Sequence, residues 1–189
     1  ASGYDIATQC HGGVVEFCKA GTASLREATR DAGGGVARDF FDRYVRVYVG
    51  GKGAATGKVT ASTLQWLQQS EERLARLHEI NEHLVATFLR CWQSPDGDRA
   101  LPFGDLADGF AAHSQLFRQS ESYPRTIMDS IARQPGYGKT WLLKPTGAGG
   151  EDALLCVTGK PQDDTPDRWL QRLGWQHLPL KVSPQGVSW

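Results

Sequence analysis

The feature that most constrains the fold is a glycine-rich segment between two apolar runs, in the stretch TWLLKPTGAGGEDALLCVTG. The runs TWLLKP (140–145) and ALLCVTG (153–159) are short and β-rich, which predicts two strands. Gly147, Gly149 and Gly150 carry no side chain, so backbone N–H groups there can approach an anion closely. The segment therefore predicts either a glycine-rich turn between neighbouring strands or a loop that sits against a phosphate.

This glycine segment does not match the better-known phosphate loops. The sequence contains no GxxxxGK[ST] pattern, which marks a P-loop, and no GxGxxG pattern before a helix, which marks a dinucleotide-binding turn. Any phosphate contact made here therefore belongs to another kind of loop.

Hydrophobic periodicity and turn residues predict the elements around this segment. A helix is expected from about Ser62 to His78, capped by Thr60 or Ser62. A break is possible near residue 80, but the apolar pattern continues to Trp92. The stretch 20–37 is rich in Gly, Ala and Thr, which predicts a linker or mobile loop. Further strands are predicted at 14–18, 44–50 and 177–183, and further helices at about 2–10, 102–120, 125–133 and 163–175.

From Tyr44 onward the predicted order is strand, two or three helices, strand, strand, helix, strand. That order predicts an α+β fold, a ferredoxin-like split βαβ sandwich in which helices cover one face of an antiparallel sheet. Most of the large aromatic side chains are expected to pack against this sheet. They are Trp66, Trp92, Trp141, Trp169 and Trp175.

The composition excludes several classes of partner. The 189 residues include 21 basic and 21 acidic ones without a basic block, so nothing favours nucleic acid or an anionic membrane. No apolar run approaches the ~20 residues that span a bilayer. The four scattered cysteines predict reduced thiols in a cytoplasmic protein, with a pair between Cys10 and Cys18 as the open alternative. The five histidines are expected to be exposed or satisfied, and their spacings offer no shared metal site.

Two further segments carry side chains that suit phosphate chemistry. In SGYDIATQCHGG, Asp5 follows small residues at a predicted helix start, where a carboxylate can orient a substrate hydroxyl for attack on a phosphoryl group. An ordinary acid stabilised by the helix dipole is the alternative. In TGKVTAST, Ser62 and Thr63 would place hydroxyls at a helix N-terminus, a ready anion site, unless they act only as caps.

Taken in order, these three segments resemble the GHMP kinase superfamily of small-molecule kinases, and most closely its phosphomevalonate kinase branch. ASGYDIATQCHGGVV resembles that branch's SGxDxA…GG segment, and TASTLQWL resembles its A-S-T helix start. KPTGAGGEDALL resembles its K-P-[ST]-G-A-G-G-G-D motif. The resemblance runs nearly from end to end of the chain.

The resemblance implies roles for individual residues. Asp5 matches the family's catalytic aspartate, which orients or deprotonates the attacking oxygen, and Ser2 and Gly3 match the small residues before it. Ser62 and Thr63 match the A-S-T helix start. The remaining matches lie in the loop that faces the phosphoryl-transfer region, namely Lys144, Thr146, Gly147, Ala148, Gly149, Gly150 and Asp152. Glu151 departs from the family, because it stands where glycine is usual and would crowd or repel an anion.

The resemblance also implies what lies elsewhere. The family's PxxxGLGSSA motif, which wraps the ATP phosphates and helps to position Mg²⁺, has no counterpart here. ATP and Mg²⁺ would then be held largely by an amino-terminal half on a separate or cleaved chain. Residues 1–37 would be the tail of the S5-like amino-terminal domain and residues 38–189 the carboxy-terminal domain. The absence of an initiator Met, with Met128 the one methionine, fits the later part of a longer polypeptide.

The expected function is therefore transfer of the γ-phosphoryl group of ATP to a small acceptor such as phosphomevalonate, in isoprenoid biosynthesis. Two alternatives remain open at this point. The chain is a non-catalytic metabolite-binding or regulatory module, or it belongs to another member such as mevalonate kinase, a sugar kinase or diphosphomevalonate decarboxylase.

Overall fold

A computed structural model describes seven stretches of the chain, residues 15–20, 22–27, 40–50, 56–92, 101–146, 153–161 and 163–180. The first two are strands, β1 (Val15–Ala20) and β2 (Thr22–Glu27), which pair antiparallel with Val15 opposite Glu27. The strand predicted at 14–18 is confirmed. The linker predicted at 20–37 is wrong for residues 22–27, which satisfy their backbone groups by pairing with β1. The helix predicted at 2–10 lies outside the described residues.

A four-stranded antiparallel sheet forms the centre of the rest of the chain. Its strands are β3 (Val45–Val49), β4 (Trp141–Pro145), β5 (Ala153–Thr158) and β6 (Gln176–Leu178), in the spatial order β4-β5-β3-β6. Each pair is antiparallel. This is the strand order of a split βαβ unit, because β5 lies between β3 and β4, which a helical crossover connects. The predicted α+β class is therefore confirmed.

The helices lie between these strands in the chain. A short helical segment at 40–44 leads into β3. Within the described stretches, four helices lie between β3 and β4, and α5 lies between β5 and β6. Their bounds are α1 Thr56–Gln68, α2 Glu71–Trp92, α3 Phe103–Phe117, α4 Arg125–Ala132 and α5 Thr165–Arg172. No helix in the described stretches is long and apolar enough to cross a membrane.

Helices cover both faces of the sheet, not one as predicted. Leu142 packs in one cluster with α2 and α3, whereas its neighbour Leu143 packs in a second cluster with α4 and α5. Successive side chains of a strand point to opposite faces, so the two clusters lie on opposite sides of β4. Each cluster continues into β5, through Val157 in the first and Cys156, a buried free thiol, in the second. The near-continuous apolar runs of β4 and β5 are explained by this two-sided burial.

The region predicted as a helix from about Ser62 to His78, with its pattern continuing to Trp92, forms two helices, α1 and α2. The chain leaves α1 after Gln68, and Ser70 begins α2 by accepting a hydrogen bond at its Oγ from the Arg73 amide, 3.3 Å away. Arg73 then bridges the corner, because its guanidinium bonds the Trp66 carbonyl at 2.9 Å and lies 4.7 Å from the centre of the Trp66 ring. The break comes about ten residues earlier than the position allowed for it.

Packing of α2 against α3 depends on a glycine. A Cβ at Gly109 would lie 2.5 Å from Cδ2 of the buried Leu84, whereas Gly104, at the start of α3, has open space around it. Only the first of these glycines is therefore required by close approach of two helices.

The predicted packing of tryptophans against the sheet is confirmed for Trp141 and Trp175, which are buried in the cluster of α4 and α5. Trp66 and Trp169 are half-buried, and Trp66 packs at the edge of the other cluster. The side chain of Trp92 lies outside the described part of the structure.

One ion pair and one hydrogen bond connect α5 to β3, an inner strand of the sheet. Asp167 accepts a hydrogen bond from the Tyr48 hydroxyl at 2.6 Å and pairs with the Arg46 guanidinium at 2.5 Å. Tyr48 is fully buried, and its burial together with this hydrogen bond raises the pKa of its hydroxyl. The network therefore fixes which face of β3 receives α5.

Candidate functional site

Four of the predicted site residues lie in the described part of the chain, namely Ser62, Thr63, Lys144 and Thr146. The others lie outside it, and their roles stay predictions. They are Ser2, Gly3, Asp5, Gly147, Ala148, Gly149, Gly150 and Asp152.

The glycine segment connects two strands that are paired up to its two ends. Thr146 follows the last residue of β4, and both its amide N and its Oγ1 donate to the Ala153 carbonyl, at 3.0 and 3.2 Å. Residues 147–152 therefore join neighbouring antiparallel strands, which was one of the two predictions for this segment. Contact with a phosphate, the other prediction, is compatible with that connection and remains untested.

Lys144, the penultimate residue of β4, is half-buried. Its Nζ donates to the Pro145 carbonyl at 3.1 Å. No carboxylate among the described residues forms an ion pair with it. Burial disfavours the charged ammonium and lowers the pKa of Lys144. The side chain is therefore a half-buried cation without an acidic partner among the described residues.

His113 on α3 lies near this lysine, and it is neither exposed nor satisfied as predicted. Its ring stacks on Phe117 with a centroid distance of 4.5 Å and an interplanar angle of 24°. Its Nδ1 is buried and has no hydrogen-bond partner within the described stretches. Burial, and then the positive charge of Lys144, lower the pKa of His113 to about 3. The imidazole is accordingly neutral near neutral pH.

The second buried side-chain atom that lacks a partner in the described stretches is the neighbouring hydroxyl, Oγ of Ser114. Ser114 lines a pocket of about 370 Å³ between α3 and α4, whose other walls include Phe110, Met128 and Leu142. The two atoms, Nδ1 of His113 and Oγ of Ser114, belong to consecutive residues of α3, but Ser114 lines this pocket whereas His113 does not.

The helix start predicted at Ser62 and Thr63 is wrong, and phosphate binding by their hydroxyls stays a prediction. Both lie in the second turn of α1, which begins at Thr56. Thr63 is buried, and its Oγ1 lies 2.7 Å from the hydroxyl of Ser122, which in turn lies 2.7 Å from that of Ser120. Ser62 is exposed.

The described candidates converge on one end of the sheet. A Cβ at Gly159 would lie 3.3 Å both from the Phe103 ring and from the Thr140 carbonyl, so α3 begins beside the start of β4. Because α3 then runs along β4, its carboxy-terminal residues His113 and Phe117 reach the end of β4 where Lys144 lies. The Trp66 ring of α1, one turn after Thr63, lies 5.7 Å from that of Phe117.

Within the described residues, no group of three or more His, Cys, Asp or Glu is placed to hold a metal ion. What the site offers is a half-buried ammonium, a neutral imidazole with a free nitrogen, and the start of a glycine-rich connection. Ammonium and imidazolium groups and exposed backbone amides are donors that suit phosphate oxygens.

The sequence contained a signal for His113 that the prediction did not use. Leu106, Phe110, His113 and Phe117 follow one another at spacings of three or four, so the histidine lies on the apolar stripe of a helix. A histidine at such a position is buried, and the question of its partner then follows.

Comparison with known proteins supports the fold. No family model matches the chain, and no curated protein gives a significant match. Among solved structures, the chain is similar to L. major mevalonate kinase in complex with R-mevalonate, with a TM-score of 0.63 and 20% identity over 99% of this chain and 54% of that one. It is also similar to a Lin0012 protein from Listeria innocua, with a TM-score of 0.53 and 18% identity over 75% of this chain and 39% of that one.

The chain thus spans about half the length of the mevalonate kinase that it resembles. At these identities the likeness concerns the fold and not the activity. The sequence motifs resemble a superfamily that includes mevalonate kinase, so this fold agrees with that resemblance. Neither neighbour bears on the phosphomevalonate kinase branch. Over nearly its whole length, this chain has the fold of part of that mevalonate kinase structure.

Proposed function

We propose that this chain is the carboxy-terminal part of an ATP-dependent GHMP-type kinase that transfers the γ-phosphoryl group to a small acceptor, with phosphomevalonate as the first candidate. The observation that carries the proposal is the fold match over 99% of the chain to a mevalonate kinase. A second observation is the position of the KPTGAGG segment: Lys144 lies in β4, which pairs with β5, and Thr146 follows directly and bonds the first residue of β5.

In this proposal Asp5 orients the attacking oxygen of the acceptor, and the amides of the glycine segment bind phosphate oxygens. Lys144 adds a positive charge at the base of that segment. ATP supplies the phosphoryl group and Mg²⁺ neutralises its developing charge, both held largely by an amino-terminal half on a separate or cleaved chain. The acceptor lies between the two halves, so most of the rate enhancement comes from positioning and charge stabilisation.

The test combines this chain with its amino-terminal half, ATP, Mg²⁺ and phosphomevalonate, and follows ADP production. Asp5→Asn keeps the size of the side chain and removes the charge that orients the acceptor, so we expect a loss of roughly 10²-fold or more in kcat. Asp164→Asn is the matched control, because Asp164 is exposed and pairs only with Arg168 one turn away among the described residues. Equal turnover by parent and Asp5→Asn would refute the role of Asp5.

The acceptor is tested separately with the same reconstituted enzyme. Phosphomevalonate, mevalonate and a sugar such as galactose are compared at equal concentration, and diphosphomevalonate is included with a readout for released CO₂. Phosphomevalonate is expected to give the highest kcat/KM, because the K-P-T before the glycines and the acid after them follow that branch. A higher value for another acceptor assigns the chain to that member of the superfamily.

The alternative, a metabolite-binding module without catalysis, makes a different prediction for the same material. Calorimetry would then detect binding of phosphomevalonate to the chain but no binding of ATP. No turnover would follow from addition of any amino-terminal half.

A further inference from the structure

A pocket of about 370 Å³ lies between α3 and α4, beside β4. Its walls are mostly apolar and include the buried side chains of Phe110, Met128 and Leu142. Ala111 and Ala132 also line the pocket and are exposed, so the pocket is open to solvent at these two residues. Ligand pockets in proteins have volumes of about 300–1,000 Å³, so this one suits a small molecule.

Small side chains on the two facing helices leave this space unfilled. Ala107, Ala111 and Ser114 follow one another at spacings of four and three along α3, so they share one face of that helix. Met128 and Ala132 lie four positions apart on α4 and line the opposite wall. Larger side chains ordinarily occupy such positions, because protein interiors are close-packed. The pocket is therefore a property of both helices and not of one side-chain rotamer.

One polar atom in this wall lacks a partner. The Oγ of Ser114 is closed to solvent and forms no hydrogen bond within the stretches that the structure describes. A buried hydroxyl without a partner costs free energy, and native proteins retain such groups where a ligand or a function requires them. A serine side chain moves between staggered rotamers about χ1, so a rotation can present this hydroxyl to the pocket that Ser114 lines.

The described walls of the pocket offer no free charge. Arg118 is the charged residue among them, and its guanidinium pairs with the Asp129 carboxylate. The hydroxyl of Tyr137, another lining residue, donates to the Leu143 carbonyl at 3.4 Å. Burial raises the pKa of Tyr137 to about 12, so its hydroxyl is neutral near neutral pH. An anionic or cationic ligand would therefore lose its hydration without gaining a partner of opposite charge.

We propose that this pocket binds a small neutral molecule that is mostly apolar and carries one hydroxyl or carbonyl group, which forms a hydrogen bond with Ser114. A ligand hydroxyl can donate to the Oγ or accept from it, and a ligand carbonyl accepts from it. The rest of the ligand packs against Phe110, Met128 and Leu142. The inference goes beyond the proposed function, because a neutral apolar ligand belongs to a different class from a phosphorylated acceptor or a nucleotide.

Met128 provides a direct probe of the pocket, because it is the one methionine of the chain and lines the wall. The chain is labelled with ¹³C at the methionine methyl group, and the single signal is followed by NMR during titration with benzyl alcohol. Toluene is the matched probe, because it keeps the ring and lacks the hydroxyl. We expect each probe to shift the Met128 signal in a saturable way.

Three variants separate the hydrogen bond from the apolar contacts. Ser114→Ala should weaken binding of benzyl alcohol by about two- to tenfold, the range of one hydrogen bond, and leave binding of toluene unchanged. Ala111→Leu and Ala132→Leu fill the pocket from opposite helices and should abolish binding of both probes. Ala86→Leu, at an exposed position on α2, is the matched control and should bind both probes as the parent does. Circular dichroism of each variant separates a lost site from a lost fold.

The inference is overturned if benzyl alcohol gives no saturable shift of the Met128 signal up to its solubility limit. Parent-like affinity of a folded Ala111→Leu chain for benzyl alcohol would also overturn it, because the probe would then bind elsewhere. The same holds if Ser114→Ala keeps the parent's affinity for benzyl alcohol. None of these results depends on phosphoryl transfer, so the pocket and the kinase proposal can fail separately.

Discussion

Removal of the Asp167 carboxylate tests how much its contacts with Arg46 and Tyr48 stabilise the packing of α5 on the sheet. Asp167→Ala would leave the fully buried Tyr48 hydroxyl without its acceptor, at a cost of about 1–3 kcal/mol. It would also leave Arg46, whose side chain is 14% exposed, without its counterion. A buried pair broken on one side costs about 3–5 kcal/mol, and solvent lowers that figure here because the Asp167 side chain is 23% exposed. We expect a total loss of about 2–4 kcal/mol in the free energy of unfolding.

The assay is urea unfolding, followed by tryptophan fluorescence and far-UV circular dichroism. A loss of this size corresponds to a fall in Tm of roughly 4–16 °C for a chain of this length. Asp167→Asn keeps an oxygen acceptor for Tyr48 and loses the charge, so it should lie between the parent and Asp167→Ala. Asp164→Asn removes an exposed pair with Arg168 and should change stability by less than about 1 kcal/mol.

A double-mutant cycle locates the effect. Tyr48→Phe should cost less in the Asp167→Ala background than in the parent, with a coupling energy of at least about 0.5 kcal/mol. If Asp167→Ala destabilises no more than Asp164→Asn does, the network contributes nothing to stability and the reasoning fails.

Three further predictions concern single side chains. Folding lowers the pKa of His113 to about 3, so the unfolded chain takes up the proton at a higher pH than the folded chain does. The free energy of unfolding should therefore fall as the pH drops below 6.5, by up to about 1.4 kcal/mol per pH unit. In urea titrations, His113→Phe should flatten that slope. Gly109→Ala should destabilise by about 1–3 kcal/mol through overpacking, whereas Gly104→Ala should be neutral or stabilising in the same assay. Thr63→Val should cost about 1 kcal/mol by removing a buried hydroxyl contact, and Ser62→Ala, at an exposed position, should leave the melting temperature unchanged.

Elements with strong local signals were predicted from the sequence, and their bounds agree to within a few residues. Pro124 and Pro166 mark the starts of α4 and α5 because a fixed φ and a missing N–H are tolerated only in a first helical turn. The glycine-rich sequence after residue 146 likewise marks the boundary between β4 and β5. The antiparallel sheet and its split βαβ order followed from the sequence of these elements.

The division between α1 and α2 was missed although a local signal exists. Ser70 followed by Glu71 and Glu72 is a helix start, a capping hydroxyl with acids in the first turn. The continuous apolar spacing across 64–92 concealed it, because two consecutive helices can keep nearly the same phase. Leu64 and Leu74, which supported that spacing, are in fact exposed, at 51% and 44%.

Other features depend on tertiary contacts for which a single sequence carries no local signal. Asp167 meets Arg46 and Tyr48 across more than a hundred positions of the chain. The proximity of His113 to Lys144 likewise depends on α3 running along β4, which the order of elements does not specify. Coverage of the second face of the sheet by α4 and α5 was missed for the same reason.

The central claim is that Asp5 and the glycine segment contact one bound acceptor from two sides. The most direct measurement is an NMR titration of the ¹⁵N-labelled chain, combined with its unlabelled amino-terminal half, with phosphomevalonate. We expect the amide signals of Asp5 and Gly149 to shift together, with the same apparent Kd. Shifts at only one of the two positions, or two different Kd values, would contradict it.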